Sequence, residues 1–160
     1  MKDLEIKVVS SRENYYIGQC LQIATENHIS NGGTLMYYDL VRHAKYIVCA
    51  MKDGQVLGFA GMVEGFAVDN DFYVLQIAVR KDYSRKGVGS EILDYIVHHS
   101  KGYSVVTSNV KKTNEASNKL HLKAGFEQLD QFESYFYRLP TENIKNNQIM
   151  EYTEDENERE

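Results

Sequence analysis

The stretch best equipped for chemistry is Tyr83-Ser84-Arg85-Lys86-Gly87-Val88-Gly89-Ser90, set between a strand pattern and a helix pattern. A helix N-terminus offers unpaired backbone N–H groups and a partial positive charge, which together bind phosphate. Gly87 and Gly89 carry no side chain to hold an anion off the backbone, and Arg85 and Lys86 add positive charge. The stretch reads either as a phosphate cradle or as a glycine turn that only starts a helix. Two common nucleotide signatures fail. A P-loop closes on Gly-Lys-Ser/Thr, whereas Gly89 is followed directly by Ser90. A dinucleotide fingerprint needs a third glycine where Ile92 stands.

Cys20 and Cys49 sit in apolar runs typical of small packing residues, with no neighbouring base. Two cysteines exclude a disulfide scaffold and a four-cysteine zinc site. His28, His43, His98 and His99 show no metal-ligand spacing, so no metal is expected. His98-His99 closes a helix pattern, where a cation would meet the negative end of the helix dipole.

Positioning these groups falls to alternating strand and helix patterns. Leu4 to Val9 reads as a strand with Leu4, Ile6 and Val8 on one face. Tyr16 to Thr25 has helical spacing, with Ile17, Leu21 and Ala24 in a stripe. Asn31-Gly32-Gly33 signals a turn into a helix through Leu35 to Ala44. Tyr46 to Met51 and Gln55 to Val63 flank Asp53-Gly54, a strong hairpin signal. Asp69-Asn70-Asp71 turns the chain into a strand over Tyr73 to Val79. The next helix carries Val88, Ile92 and Ile96, with Leu93 and Val97 beside them. Tyr103 to Asn109 is β-rich, and Glu115 to Ala124 is a helix stopped by Gly125. Phe126 to Leu129 and Phe132 to Leu139 close the series as strands. An α/β or α+β sheet with helices on its faces is expected.

A chain of 160 residues fits one domain, here 1–140, followed by an acidic polar tail over 141–160 that is expected to be mobile. The net charge of −5 belongs to that tail, which holds seven acids and two bases. The body balances sixteen bases against sixteen acids, which argues against a nucleic-acid backbone as partner. Met1 to Ser11 lacks the apolar stretch of a signal peptide, and no run approaches the roughly 20 apolar residues that span a bilayer. No membrane partner and a cytoplasmic location are expected.

The glycine stretch resembles the acyl-CoA loop of the GNAT superfamily of N-acetyltransferases, Gln/Arg-x-x-Gly-x-Gly/Ala, with Ser84 at its first position. Leu75-Gln76-Ile77-Ala78-Val79 resembles the strand that leads into that loop. Asn114 to Gly125-Phe126 looks like the family's late helix, and Gly54 to Gly61 like its third strand. The resemblance covers residues 3–139 and is strongest over 73–126. It implies a single-domain mixed, mostly antiparallel sheet flanked by helices, with a splayed central strand pair. It implies acetyl-CoA as cosubstrate and a small or protein-borne primary amine as acceptor, and it leaves a homodimer open. Backbone groups of Ile77, Ala78 and Val79 would pair with the pantetheine arm, and a Val79 N–H would polarise the thioester carbonyl. Backbone N–H groups of Arg85, Lys86, Gly87, Val88, Gly89 and Ser90 would hold the pyrophosphate, and Asn114 would touch the cofactor arm.

His121 stands seven residues after Asn114, where the family usually has a tyrosine that protonates the departing thiolate. An imidazole can do that work, and it can equally be a packed helix residue. Gln76 and Asn109 are amides where relatives place acids, so Glu64 is the leading carboxylate for a general base, with Asp71 and Asp39 behind it. The 10–45 region, with Tyr15, Tyr16, Tyr37 and Tyr38, and the 64–72 turn would wall the acceptor. Two alternatives share these features: a non-catalytic acyl-CoA sensor, and an interaction module acting through the tail.

Overall fold

Asp53 and Gly54 both take positive φ, 51° and 77°, as a tight two-residue hairpin turn requires. They join β2 (Tyr46–Lys52) to β3 (Gln55–Glu64), the apolar centre of the sheet. A computed structural model gives the fold and describes residues 1–31 and 43–154, with side chains at 1–27 and 43–154. The expected helix from Leu35, with Tyr37, Tyr38 and Asp39, lies outside the described residues.

The first strand is β1 (Glu5–Val9), followed by α1 (Asn14–Asn31). After the hairpin come β4 (Asp71–Val79), a 3-10 turn (Lys81–Tyr83) and α2 (Val88–Val97). Then follow β5 (Val105–Lys111), α3 (Glu115–Lys123), β6 (Glu127–Asp130) and β7 (Ser134–Pro140). The seven strands form one sheet in the order β1-β2-β3-β4-β5-β7-β6. All neighbours are antiparallel except the central pair, β4 and β5. The α/β reading therefore holds.

Both sheet faces are covered. The Val88, Ile92, Leu93, Ile96 and Val97 stripe of α2 is buried against one face, on Leu57, Ala60 and Phe72. Helix α1 covers the other through Ile17, Cys20 and Ile23, packed on Ile47, Cys49 and Phe59. Burying such side chains contributes roughly 1.5–3 kcal/mol each, enough to make the two helices the clamps of the sheet.

One irregularity opens the centre. Gly61 pairs with Gln76 while Met62 pairs with Val74, so Leu75 is an extra residue in β4. A bulge of this kind bends its strand and increases the twist. The parallel ladder with β5 runs from Asp71↔Val105 to Val74↔Ser108 and ends there, one residue before the bulge. The bend at Leu75 accounts for the fork, and the splayed pair is present.

The segment after Pro140 departs from the expected mobile tail. Thr141 N–H donates to Ser104 O (3.1 Å), Lys101 N–H to Gln148 O (3.0 Å) and Gln148 N–H to His98 O (2.9 Å). Met150 is 2% exposed in the core under α2, and Tyr152 Oη donates to Lys45 O. Thr153 bonds Val8 twice, N–H to Val8 O at 2.8 Å and Oγ1 from Val8 N–H at 2.9 Å. Apolar anchors spaced among polar residues dock the segment as far as Glu154 is described; residues 155–160 lie outside the described set.

Candidate active site

The cradle is built by the chain leaving β4. Ser84 Oγ donates to Lys81 O, closing the 3-10 turn and committing that hydroxyl to the backbone. Arg85 then takes φ 62° and Gly87 φ 85°, two left-handed residues that swing the chain into α2. Gly87 is the N-cap and makes no side-chain capping bond, so the first-turn N–H groups of α2 are left to face a ligand.

Each glycine also has a role in the fold itself, and the two roles differ. A Cβ at Gly87 would meet no protein atom within 4 Å, and what the fold asks of this glycine is its positive φ. A Cβ at Gly89 would come within 3.3 Å of Leu120 Cδ2, so that glycine lets α2 approach α3.

A cavity of about 860 Å³ opens at this turn, lined along one side by Ile77, Ala78 and Val79. Arg85, Gly87, Val88, Gly89, Ser90 and Asn114, the residues expected to hold the cofactor, line it as well. Lys86 does not: its ammonium lies 5.2 Å from the Tyr83 ring centroid, over the ring face. Asn114 Oδ1 caps α3 by accepting from Ser117 N–H at 3.2 Å. A second cavity of about 210 Å³ continues from the first along β4 from Ala78 to Val74 and along β5 from Ser108 to Lys111. Asn27, Ile77, Ala78, Asn114 and Ser117 belong to both, so the two form one cleft ending at the fork.

The two residues expected to move protons are not in that cleft. His121 is 0% exposed, stacked on Tyr137 (4.7 Å, 23°) and edge-on to Phe126. Its Nδ1–H donates to Ser117 O at 2.7 Å, one turn back. Nε2 is buried without a partner and, in the neutral ring, carries no proton. Burial pushes the imidazole pKa down, partly offset by the Ser117 bond. The ring packs in the core and, with Nδ1–H on Ser117 O, presents no N–H to the cleft.

Glu64 accepts from Lys45 Nζ at 2.8 Å and from Tyr103 Oη at 2.5 Å, at the far end of β3. Those bonds hold its carboxyl below the usual range despite some desolvation, and an ionised, paired carboxylate is a weak base. Asp71, expected as a turn acid, is fully buried. It accepts from the N–H groups of Phe66, Ala67 and Val68 and from Thr107 Oγ1, so it shapes the β3–β4 turn.

The structure adds residues that sequence reading missed. Asn27 Nδ2 donates to Val79 O at 3.2 Å from α1, past the point where the apolar stripe had placed the helix end. Ser117 lies three residues after Asn114, a spacing that would have put both on one face of α3. Among the described residues, no three His, Cys, Asp or Glu side chains are grouped to hold a metal ion. Nor is any helix among them long and apolar enough to cross a membrane.

A sheet forked between parallel strands, with a glycine turn and a bare helix N-terminus at one end of the cleft, offers a ligand a strand edge to lie along and N–H groups at its end. The sequence profile of the acetyltransferase (GNAT) family matches residues 16–126, well over half of the chain, and the chain belongs to that family. Solved structures share the fold at low identity. Ard1 of Thermoplasma volcanium is 19% identical with a TM-score of 0.69, covering 86% of this chain and 97% of that one. PaiA N-acetyltransferase of Thermoplasma acidophilum, in complex with coenzyme A, is 14% identical with a TM-score of 0.65, covering 86% and 98%. The ribosomal-protein-S18-alanine N-acetyltransferase of Escherichia coli is 17% identical with a TM-score of 0.62, covering 88% and 99%. A sequence search of curated proteins returns no match.

Proposed function

We propose that this chain moves an acetyl group from acetyl-CoA directly to a primary amine bound beside it. One observation carries the reading: a continuous cleft runs from the glycine turn, along the β4 edge that β5 has left, to the fork at Val74 and Ser108. At ~3.3 Å per residue, Val79 to Val74 spans about 17 Å, the reach of a thread-like arm laid along a strand. In this reading the N–H groups of the turn and first turn of α2 hold the pyrophosphate. The main chain of Ile77 to Val79 takes the pantetheine arm, with Asn114 and Ser117 across from it. The turn supplies the backbone donors and Arg85 the local charge, so Ser84 in place of Gln or Arg is tolerated.

Chemistry then needs little beyond orientation. The lone pair of a neutral amine adds to the thioester carbonyl carbon, and the C=O pair moves onto oxygen, met by a backbone N–H of β4. That pair returns as the C–S bond breaks and its electrons leave on sulfur. The nitrogen releases its proton to water, and the thiolate takes one from water. Neither His121 nor Glu64 is required.

Thiol release from acetyl-CoA, read with a chromogenic disulfide over a panel of amines, tests the proposal. Release that depends on the amine is expected. Binding of acetyl-CoA by calorimetry with no release from any amine would refute transfer and leave an acyl-CoA-binding module.

A further inference from the structure

The β3–β4 turn and the fork are joined by an unbroken series of contacts. Asp71, with four bonds on its buried carboxylate, fixes the backbone of Phe66 to Val68 (2.8, 3.0 and 3.2 Å). This sets the Phe66 ring 4.5 Å from that of Tyr73, tilted by 35°. Phe66 is 63% exposed and Tyr73 only 6%, so the phenylalanine roofs the tyrosine. The Tyr73 hydroxyl in turn accepts from Asn109 Nδ2 at 3.3 Å. Asn109 lines the cleft one residue past the last β4–β5 pair, where an arm laid along β4 ends.

Resting on the transfer reading above, we infer that Asn109 receives the acceptor nitrogen and that Tyr73 is its positioning residue, for amines whose carrier bears no further positive charge. An amide that gives its N–H to Tyr73 keeps Oδ1 as an acceptor, and a neutral amine has an N–H to donate while its lone pair attacks carbon. Burial pushes the Tyr73 pKa up, so the phenol stays protonated and neutral through the working range. The surroundings set the class of carrier. Among the described residues lining the smaller cavity, the charged side chain is Lys111, a cation, and the polar remainder are amides and hydroxyls. A polyamine or a second ammonium would meet like charge there. Phe66, 63% exposed over Tyr73, would offer an apolar or aromatic carrier a flat surface instead.

Steady-state kinetics with phenylalaninamide and spermidine as acceptors test this. The parent is expected to use phenylalaninamide with kcat/KM at least tenfold above spermidine. Tyr73→Phe removes one oxygen and should raise the phenylalaninamide KM about fivefold, the scale of one hydrogen bond. Asn109→Ala should raise it about tenfold or more and Asn109→Gln recover part, all with the acetyl-CoA KM within about twofold of the parent. Thiol release with a preference for spermidine, with the amine KM unmoved in Tyr73→Phe, or with both KM values rising together, overturns this inference alone. No release from either amine or from the wider panel overturns transfer and this inference together.

Discussion

Asp71→Asn replaces one atom in a buried site, and its cost follows from the contacts. Oδ1 accepts from Phe66 N–H, and Oδ2 from Ala67 N–H, Val68 N–H and Thr107 Oγ1. An asparagine keeps one oxygen. Its better orientation leaves that oxygen at the Oδ2 position and turns Nδ2 toward the Phe66 N–H, donor against donor. One bond to a charged acceptor, about 1.5–3 kcal/mol, is lost, and three others fall to neutral strength, about 0.5–1.5 kcal/mol. Relief from burying a charge returns part of this, which leaves a net loss of about 3 kcal/mol. At about 2–4 °C per kcal/mol for a chain of this size, Tm should drop by about 6–12 °C. Urea unfolding at pH 7 should show a lower midpoint with unchanged slope. Amides 66–68 should also lose protection from hydrogen exchange ahead of the core. A loss below about 0.5 kcal/mol, the range of neutral surface changes, would refute the claim that Asp71 holds the turn.

His121→Phe keeps the ring stack on Tyr137 and should leave turnover within about twofold of the parent; a loss of tenfold or more would restore a chemical role. The imidazole pKa is lowered by burial, so the unfolded chain takes up this proton first as pH falls below about 6.5, and the folded parent loses stability from there down. Melting curves from pH 7 to 5 should therefore fall more steeply for the parent than for His121→Phe. Gly87→Ala forces a side chain into φ 85° and should cost about 1–2 kcal/mol while weakening coenzyme A binding by calorimetry. Met150→Ala should lower stability by about 2–5 kcal/mol in urea titrations, a cost that a free-swinging tail would not show.

The strands, the α2 stripe and the glycine turn were legible because each is written in local period or turn chemistry. The Leu75 bulge was not, since which residue is extra depends on pairing with Gly61 and Met62 across the sheet. His121 sat in the expected register from Asn114, but register does not fix where a ring nitrogen points. Here Nδ1 is drawn back to Ser117 O by the helix itself. Asp71 read as one of three turn-formers in Asp-Asn-Asp, yet only it turns inward, because Phe66, Ala67 and Val68 present their N–H groups to it. In the segment after Pro140 polar composition outweighed Met150, which is buried in the core, and Tyr152, which is half-exposed but packs on the Tyr46 ring and bonds Lys45 O, contacts made with residues far away in sequence.

Thr153 meets both the amide and the carbonyl of Val8 on β1, one of the two edge strands, across a sequence gap of 145 residues. During synthesis that strand forms long before its cover is made, and for the interval its rim can template a neighbouring chain. Shortened products ending before this residue should therefore gather into aggregates even where their catalytic half is intact, so expression boundaries set at Pro140 would trade solubility for brevity.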